Sequence, residues 1–267
     1  MDEIKDVLQR DPASNPLLNQ GQARISDSRN QRAMDELRGE LSTFVCEGQY
    51  AEGIQKIVRS YLDNVGKTSQ RGAWVSGFFG SGKSHLLKML CHLWQDTPFP
   101  DGSTARGLVP CIPEELGDLL RELDTAGKRA GGLLAAAGAL PSGTTDNVRL
   151  TILGILLRAI GLPEQYPQAR FCLWLHSQGF FDKVKTAVET AGRTFDRELN
   201  NLYVSGPIAR AVIACDPNFA TGEAEAKQLL KAQFPTQPTD ISTDEFLRIT
   251  KEALRLVQRA AACHAPW

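Results

Sequence analysis

Gly77-Phe78-Phe79-Gly80-Ser81-Gly82-Lys83-Ser84 fits the spacing G-x-x-x-x-G-K-[ST] and is the one stretch of the chain that names a chemistry. Glycines let a backbone turn tightly and aim successive N–H groups at phosphate oxygens. A lysine at this spacing reaches the β- and γ-phosphates, and the following hydroxyl can ligate Mg²⁺. The roles fall on Lys83 for phosphate and Ser84 for Mg²⁺, with His85 beside them. From average glycine, lysine, serine and threonine usage the pattern arises by chance in about one chain per hundred of this length. The bland alternative is a glycine-rich turn that binds nothing.

Such a loop must be held between a strand and a helix. Ala73-Trp74-Val75-Ser76 is a short apolar run suited to a buried parallel strand. Beyond the loop, Leu86, Met89, Leu90 and Leu93 recur at i, i+3, i+4 and i+7, which predicts a helix from Lys83 to Trp94. Its N-terminus adds partial positive charge beneath the phosphates. Phe78 and Phe79 are expected to pack behind the cradle.

Upstream, Ala33, Leu37, Leu41 and Phe44 mark one helix over 29–47, and Ile54, Ile57, Val58, Tyr61 and Leu62 mark a second over 50–64. Residues 1–28 read as a loosely structured lead-in, and 95–113 as a long loop. A helix follows at 114–125. Gly131–Leu140 is ambiguous; its Gly-Gly and Pro-Ser-Gly flanks favour a short buried strand. Asp146 is placed to cap a helix through Ile160, with Val148, Ile152, Ile155, Leu156 and Ala159 on its inner side. Residues 164–234 read as wholly helical, and Ser242-Thr243-Asp244-Glu245 has capping-box spacing ahead of a last helix. Strand–helix alternation predicts an α/β class: an incomplete AAA-like P-loop NTPase core with a helical N-terminal segment and a helical insertion. The boundaries are a lead-in over 1–66, a nucleotide-binding core over 67–163 and a predominantly helical region over 164–267.

Hydrolysis needs a second strand ending in an acid that holds Mg²⁺. The downstream fit is Val212-Ile213-Ala214-Cys215-Asp216, but Pro207 suits a helix start and Pro217 a stop, so we read Asp216 as a loop at a helix C-terminus. The acidic strand is expected beyond Trp267, the reading frame having shifted or the gene having been interrupted before it. A plain helical terminus is the alternative.

The 267 residues are 42% hydrophobic and 23% charged, enough for a real core. A net charge of −1 and a pI near 6.4 give no global basic field, so nucleic-acid binding would need a local patch. Six cysteines without a C-x-x-C pair read as buried free thiols. His85, His92, His176 and His264 are too dispersed for a metal site, and Lys128, Arg129 and Arg149 read as solvated surface. The polar start Met1-Asp2-Glu3-Ile4-Lys5 and the lack of an 18-residue apolar run predict a cytoplasmic protein with no membrane contact.

Over 73–90, a tryptophan-containing strand candidate leads into Gly-Phe-Phe-Gly-Ser-Gly-Lys-Ser-His, and here the chain resembles the large P-loop ATPases of bacterial BREX-type phage-defence systems. The helical lead-in and the stretch 131–161 are also similar to that family's amino-terminal region. The resemblance implies ATP and Mg²⁺ as cofactors, contacts at Gly77, Phe78, Phe79, Gly80, Ser81, Gly82, Lys83, Ser84 and His85, and oligomeric assembly in the full-length proteins. It implies other phage-defence proteins, and through them DNA, as partners. The family's members are much longer, so the chain reads as an ATP-binding amino-terminal region that hydrolyses poorly alone. Two rivals are a small-molecule kinase using Asp216 as its Mg²⁺-binding acid and a non-catalytic partner-binding module with a vestigial loop.

Overall fold

The computed structural model describes residues 31–69, 71–141, 147–236 and 239–263, without the side chains of 259–263. Among these residues the regular elements are all helices. The chain divides into two compact units, Met1–Ala137 and Gly138–Trp267.

In the first unit the apolar faces read from the sequence are the buried ones. Helices α1 (Gln31–Ser42), α2 (Gly48–Leu62), α3 (Lys83–Trp94), α4 (Ala105–Leu108) and α5 (Glu114–Ala130) share one core. Leu37 and Leu41 of α1, Ile54 and Val58 of α2, Leu86, Met89 and Leu93 of α3, and Leu116, Leu120 and Leu123 of α5 meet there, all buried. Spacing at 3.6 residues per turn puts each set on one stripe, and burying the stripe stabilises helices that are marginal alone. The helix bearing the glycine loop is thus clamped by its neighbours.

Two polar devices fix α3. Lys88 on its inner side pairs with Glu40 of α1 at 2.5 Å, both side chains about 5% exposed. At its C-terminus, Arg106 of α4 donates from Nε to the Leu93 carbonyl at 2.7 Å and from a terminal nitrogen to that of Trp94 at 3.1 Å. The same guanidinium grips both oxygens of Asp124 on α5, at 2.6 and 2.9 Å. A planar fork can serve carbonyls and a carboxylate at once. The stretch 95–113, expected as plain loop, therefore carries a helical turn and the anchor that ties α3 to α5.

The expected α/β core is not formed. No β-strand occurs among the described residues; pairing is limited to an isolated bridge between Pro98 and Thr104. Ala73–Ser76 and Gly131–Leu140, both expected as buried strands, run without ladder partners. Trp74 is 91% exposed instead of buried. A strand is stable only with neighbours to take its backbone groups, and the described chain supplies none.

The second unit comprises α6 (Val148–Ala159), α7 (Tyr166–Gln178), α8 (Phe181–Thr190), α9 (Phe195–Asn200), α10 (Gly206–Cys215), α11 (Glu223–Gln233) and α12 (Thr243–Cys263); α7 to α11 are the helices expected over 164–234. Phe171 and Leu175 of α7, Val184 and Val188 of α8, Val212 of α10, Leu230 of α11 and Ile249 of α12 form its core with Phe234. Phe171 and Phe234 meet edge to face at 5.6 Å.

α6 buries a different face from the expected one. Leu153, Gly154 and Leu157 point inward, while Ile152 and Ala159 are exposed. The helix is apolar nearly all round, so periodicity cannot choose its face. Gly154 decides it locally, because a Cβ there would come within 3.1 Å of the Glu164 carbonyl oxygen. The expected cap, Asp146, lies outside the described residues. Asp240 instead accepts from the Arg149 and Leu150 amides at 3.1 and 2.9 Å. At α12 half of the expected capping box is present: Ser242 accepts from the Glu245 amide at 3.1 Å, while the Glu245 carboxylate turns to Tyr166 and Arg248.

Candidate functional site

The glycine loop curls around its own lysine. Lys83 Nζ donates to the carbonyls of Gly77 at 2.9 Å and Phe78 at 2.7 Å, and lies 3.4 Å from Ser81 Oγ. The amide of Ser81 closes the turn on the Phe78 carbonyl at 3.2 Å. α3 begins at Lys83, and the amides of Lys83, Ser84 and His85 have no acceptor among the described residues. Free amides at a helix N-terminus, with the positive end of its dipole and an ammonium beside them, form an anion cradle.

Two of the loop's glycines are required by geometry. Gly82, the residue before α3, has φ 77°, in the left-handed region. A Cβ there would also strike the Tyr50 hydroxyl at 2.3 Å. Gly80, at φ 81°, lies in the same left-handed region. The loop is held from outside by Tyr50 of α2, whose hydroxyl donates to the Ser81 carbonyl at 2.9 Å.

Beside the loop lies a cavity of about 760 Å³. One wall is a face of α2 bearing Gln49, Tyr50, Gly53, Lys56, Ile57 and Ser60, the other is the extended backbone of Ala73–Phe78, and Ser81, Lys83 and Leu86 close it. None of the lining side chains is a carboxylate. These α2 residues carry no motif of their own; a glycine inside an otherwise strong helix at Gly53 is the signal that could have found them.

The chain matches no protein-family model and no solved structure.

Ser84 is exposed at the first turn of α3, its side chain open to a ligand. Phe78 and Phe79, expected to pack behind the cradle, project into solvent, 91% and 106% exposed; without a sheet there is no surface behind the loop to receive them. His85 packs half-buried and edge-on against Phe44, ring centroids 5.6 Å apart. Burial lowers its pKa, opposed by the Glu40 carboxylate and aided by the Lys88 ammonium, so the imidazole is neutral at pH 7 and adds no positive charge to the cradle.

Among the described residues no group of three or more histidines, cysteines or acids is placed to hold a metal ion. Asp216 does not end a strand. Val212–Cys215 closes α10, and the Asp216 carboxylate accepts from the Asn218 amide at 3.0 Å in a local turn. Arg149 is engaged by Asp240 at 3.3 Å, while Lys128 and Arg129 are exposed in the last turn of α5. Cys46 and Cys172 are buried free thiols, as expected; Cys111 is exposed. No helix among the described residues is long and apolar enough to cross a membrane.

Proposed function

We propose that this chain binds ATP with Mg²⁺ at Gly77–Ser84, as the amino-terminal region of a phage-defence ATPase, and turns it over slowly by itself. The observation that carries the reading is the Lys83 ammonium held by the Gly77 and Phe78 carbonyls beside three free amides of α3. This arrangement offers a polyphosphate one ammonium and a row of fixed donors, with Ser84 beside them for the metal.

Slow turnover follows from the donor set. Water attack on the γ-phosphate needs an acid that completes the Mg²⁺ shell or orients the nucleophile, and no carboxylate lines the cavity. The loop positions phosphates without activating water. Other phage-defence proteins, and DNA through them, are the partners this reading assigns to the longer protein.

Thermal denaturation with and without Mg·ATP, paired with a phosphate-release assay, tests the reading. Stabilisation by several degrees at saturating Mg·ATP, with release far below one turnover per second, is expected. An unchanged melting temperature at millimolar Mg·ATP would leave the loop a structural turn. Rapid turnover would overturn the claim that the site lacks the acid hydrolysis needs.

A further inference from the structure

We infer that the base and ribose of the nucleotide lie in the cavity between α2 and the extended segment Ala73–Gly77, on a floor left open by Gly53. The inference rests on the triphosphate reading of Gly77–Ser84, because that fixes which end of the ligand meets Lys83. At about 760 Å³ the cavity lies within the range of small-molecule sites, roughly 300–1,000 Å³. Ser81 and Lys83 line it, so a ligand with its phosphates on the loop has its remaining bulk continuous with this space.

The walls suit a flat, polar-edged ring. Tyr50, Ile57 and Leu86 supply apolar surface, and Gln49 and Ser60 supply side-chain donors and acceptors. The peptide groups of Ala73–Ser76, residues that line the cavity, make no backbone hydrogen bond among the described residues and keep hydrogen-bonding capacity to spare. Lining residues include no carboxylate to repel a nucleotide.

Gly53 is the specific feature. Glycine inside a helix is about 1 kcal/mol less favourable than alanine. Packing does not demand it here, since a Cβ at 53 would meet only Leu86 Cδ2, at an ordinary 4.0 Å. What the missing side chain does is keep the cavity wall recessed between Tyr50 and Ile57. A nucleoside gives that recess a use.

The test titrates the full chain with Mg·ATP and, separately, with Mg·tripolyphosphate, which has the phosphates and no nucleoside. Gly53→Leu fills the recess. We expect its affinity for ATP to fall at least tenfold and its affinity for tripolyphosphate to stay within twofold of the unsubstituted chain. Should far-ultraviolet circular dichroism show Gly53→Leu misfolded, Ser60→Phe, which enters from further along α2, must give the same split. Undiminished ATP affinity in the filled variant, with tripolyphosphate bound, would place the nucleoside elsewhere. Equal loss of both ligands would assign Gly53 to loop support and overturn the inference. If the unsubstituted chain binds neither ligand, the triphosphate reading itself fails.

Discussion

Tyr50 shows how a residue outside a motif can set the motif's shape. Its hydroxyl holds the Ser81 carbonyl, and its ring occupies the space that only a glycine at 82 leaves open. Tyr50→Phe removes one hydrogen bond of about 0.5–1.5 kcal/mol. The expected result is a 2- to 10-fold loss of Mg·ATP affinity with little change in melting temperature, read by calorimetric titration. His92 carries a second prediction at this scale. It sits on α3 with Nδ1 3.0 Å from Thr97 Oγ1, and burial first, then the Lys88 ammonium, depress its pKa to about 4 against the opposing Glu40 carboxylate. An imidazole whose folded pKa lies below the unfolded 6.5 takes up a proton on unfolding. Its contribution is therefore complete above pH 6.5 and lost as pH falls from 6.5 toward 4. Replacing it by asparagine should reduce the stability lost between pH 7 and pH 5 by about 1–2 kcal/mol. A pH dependence identical in the two proteins would show that His92 does not titrate with unfolding.

α3 is positioned by interactions at both ends and in its middle. The buried Glu40–Lys88 pair is the one with the largest consequence, because removing one partner strands the other charge in the core. Glu40→Gln should cost about 3–5 kcal/mol, and the double change Glu40→Met with Lys88→Met should recover most of it. Denaturant melts of the single and double variants give both numbers; a double variant no better than the single would mean the pair does more than neutralise itself. At α6 the cap comes from Asp240, some ninety residues along the chain, and its carboxyl is lowered in pKa: burial opposes the change, while the Leu150, Arg149 and Ile241 amides and the Arg149 guanidinium outweigh it. Asp240→Ala should lower the melting temperature and speed hydrogen exchange at 149 and 150. That contribution should likewise weaken in acid, as the carboxyl protonates.

For the molecule as a whole, helices were legible wherever one apolar stripe recurs at 3.6 residues, as in α3 and α5, where Leu86, Met89, Leu90, Leu93 and Leu116, Leu119, Leu120, Leu123 are all buried. Ala73–Ser76 misled because a four-residue apolar run carries no period of its own. Whether it becomes a strand depends on partners elsewhere in the chain. α6 misled for a related reason, since an apolar surface all round hides which face turns inward. The loop Gly77–Ser84 was legible as a motif, but the α2 wall, Arg106 and the Asp240 cap were not, because each depends on contacts distant in sequence. With two compact units, added Mg·ATP should slow hydrogen exchange within 31–137 and leave 147–263 unchanged. Protection spread evenly over both would contradict a site confined to the first unit.

Calorimetric titration of Mg·ATP into the unsubstituted chain and Lys83→Ala tests most directly whether the loop around Lys83 is a triphosphate cradle. With both proteins equally helical by circular dichroism, the account predicts saturable one-to-one binding to the first and at least a hundredfold loss in the second. Equal binding by the two, or none by either, would contradict it.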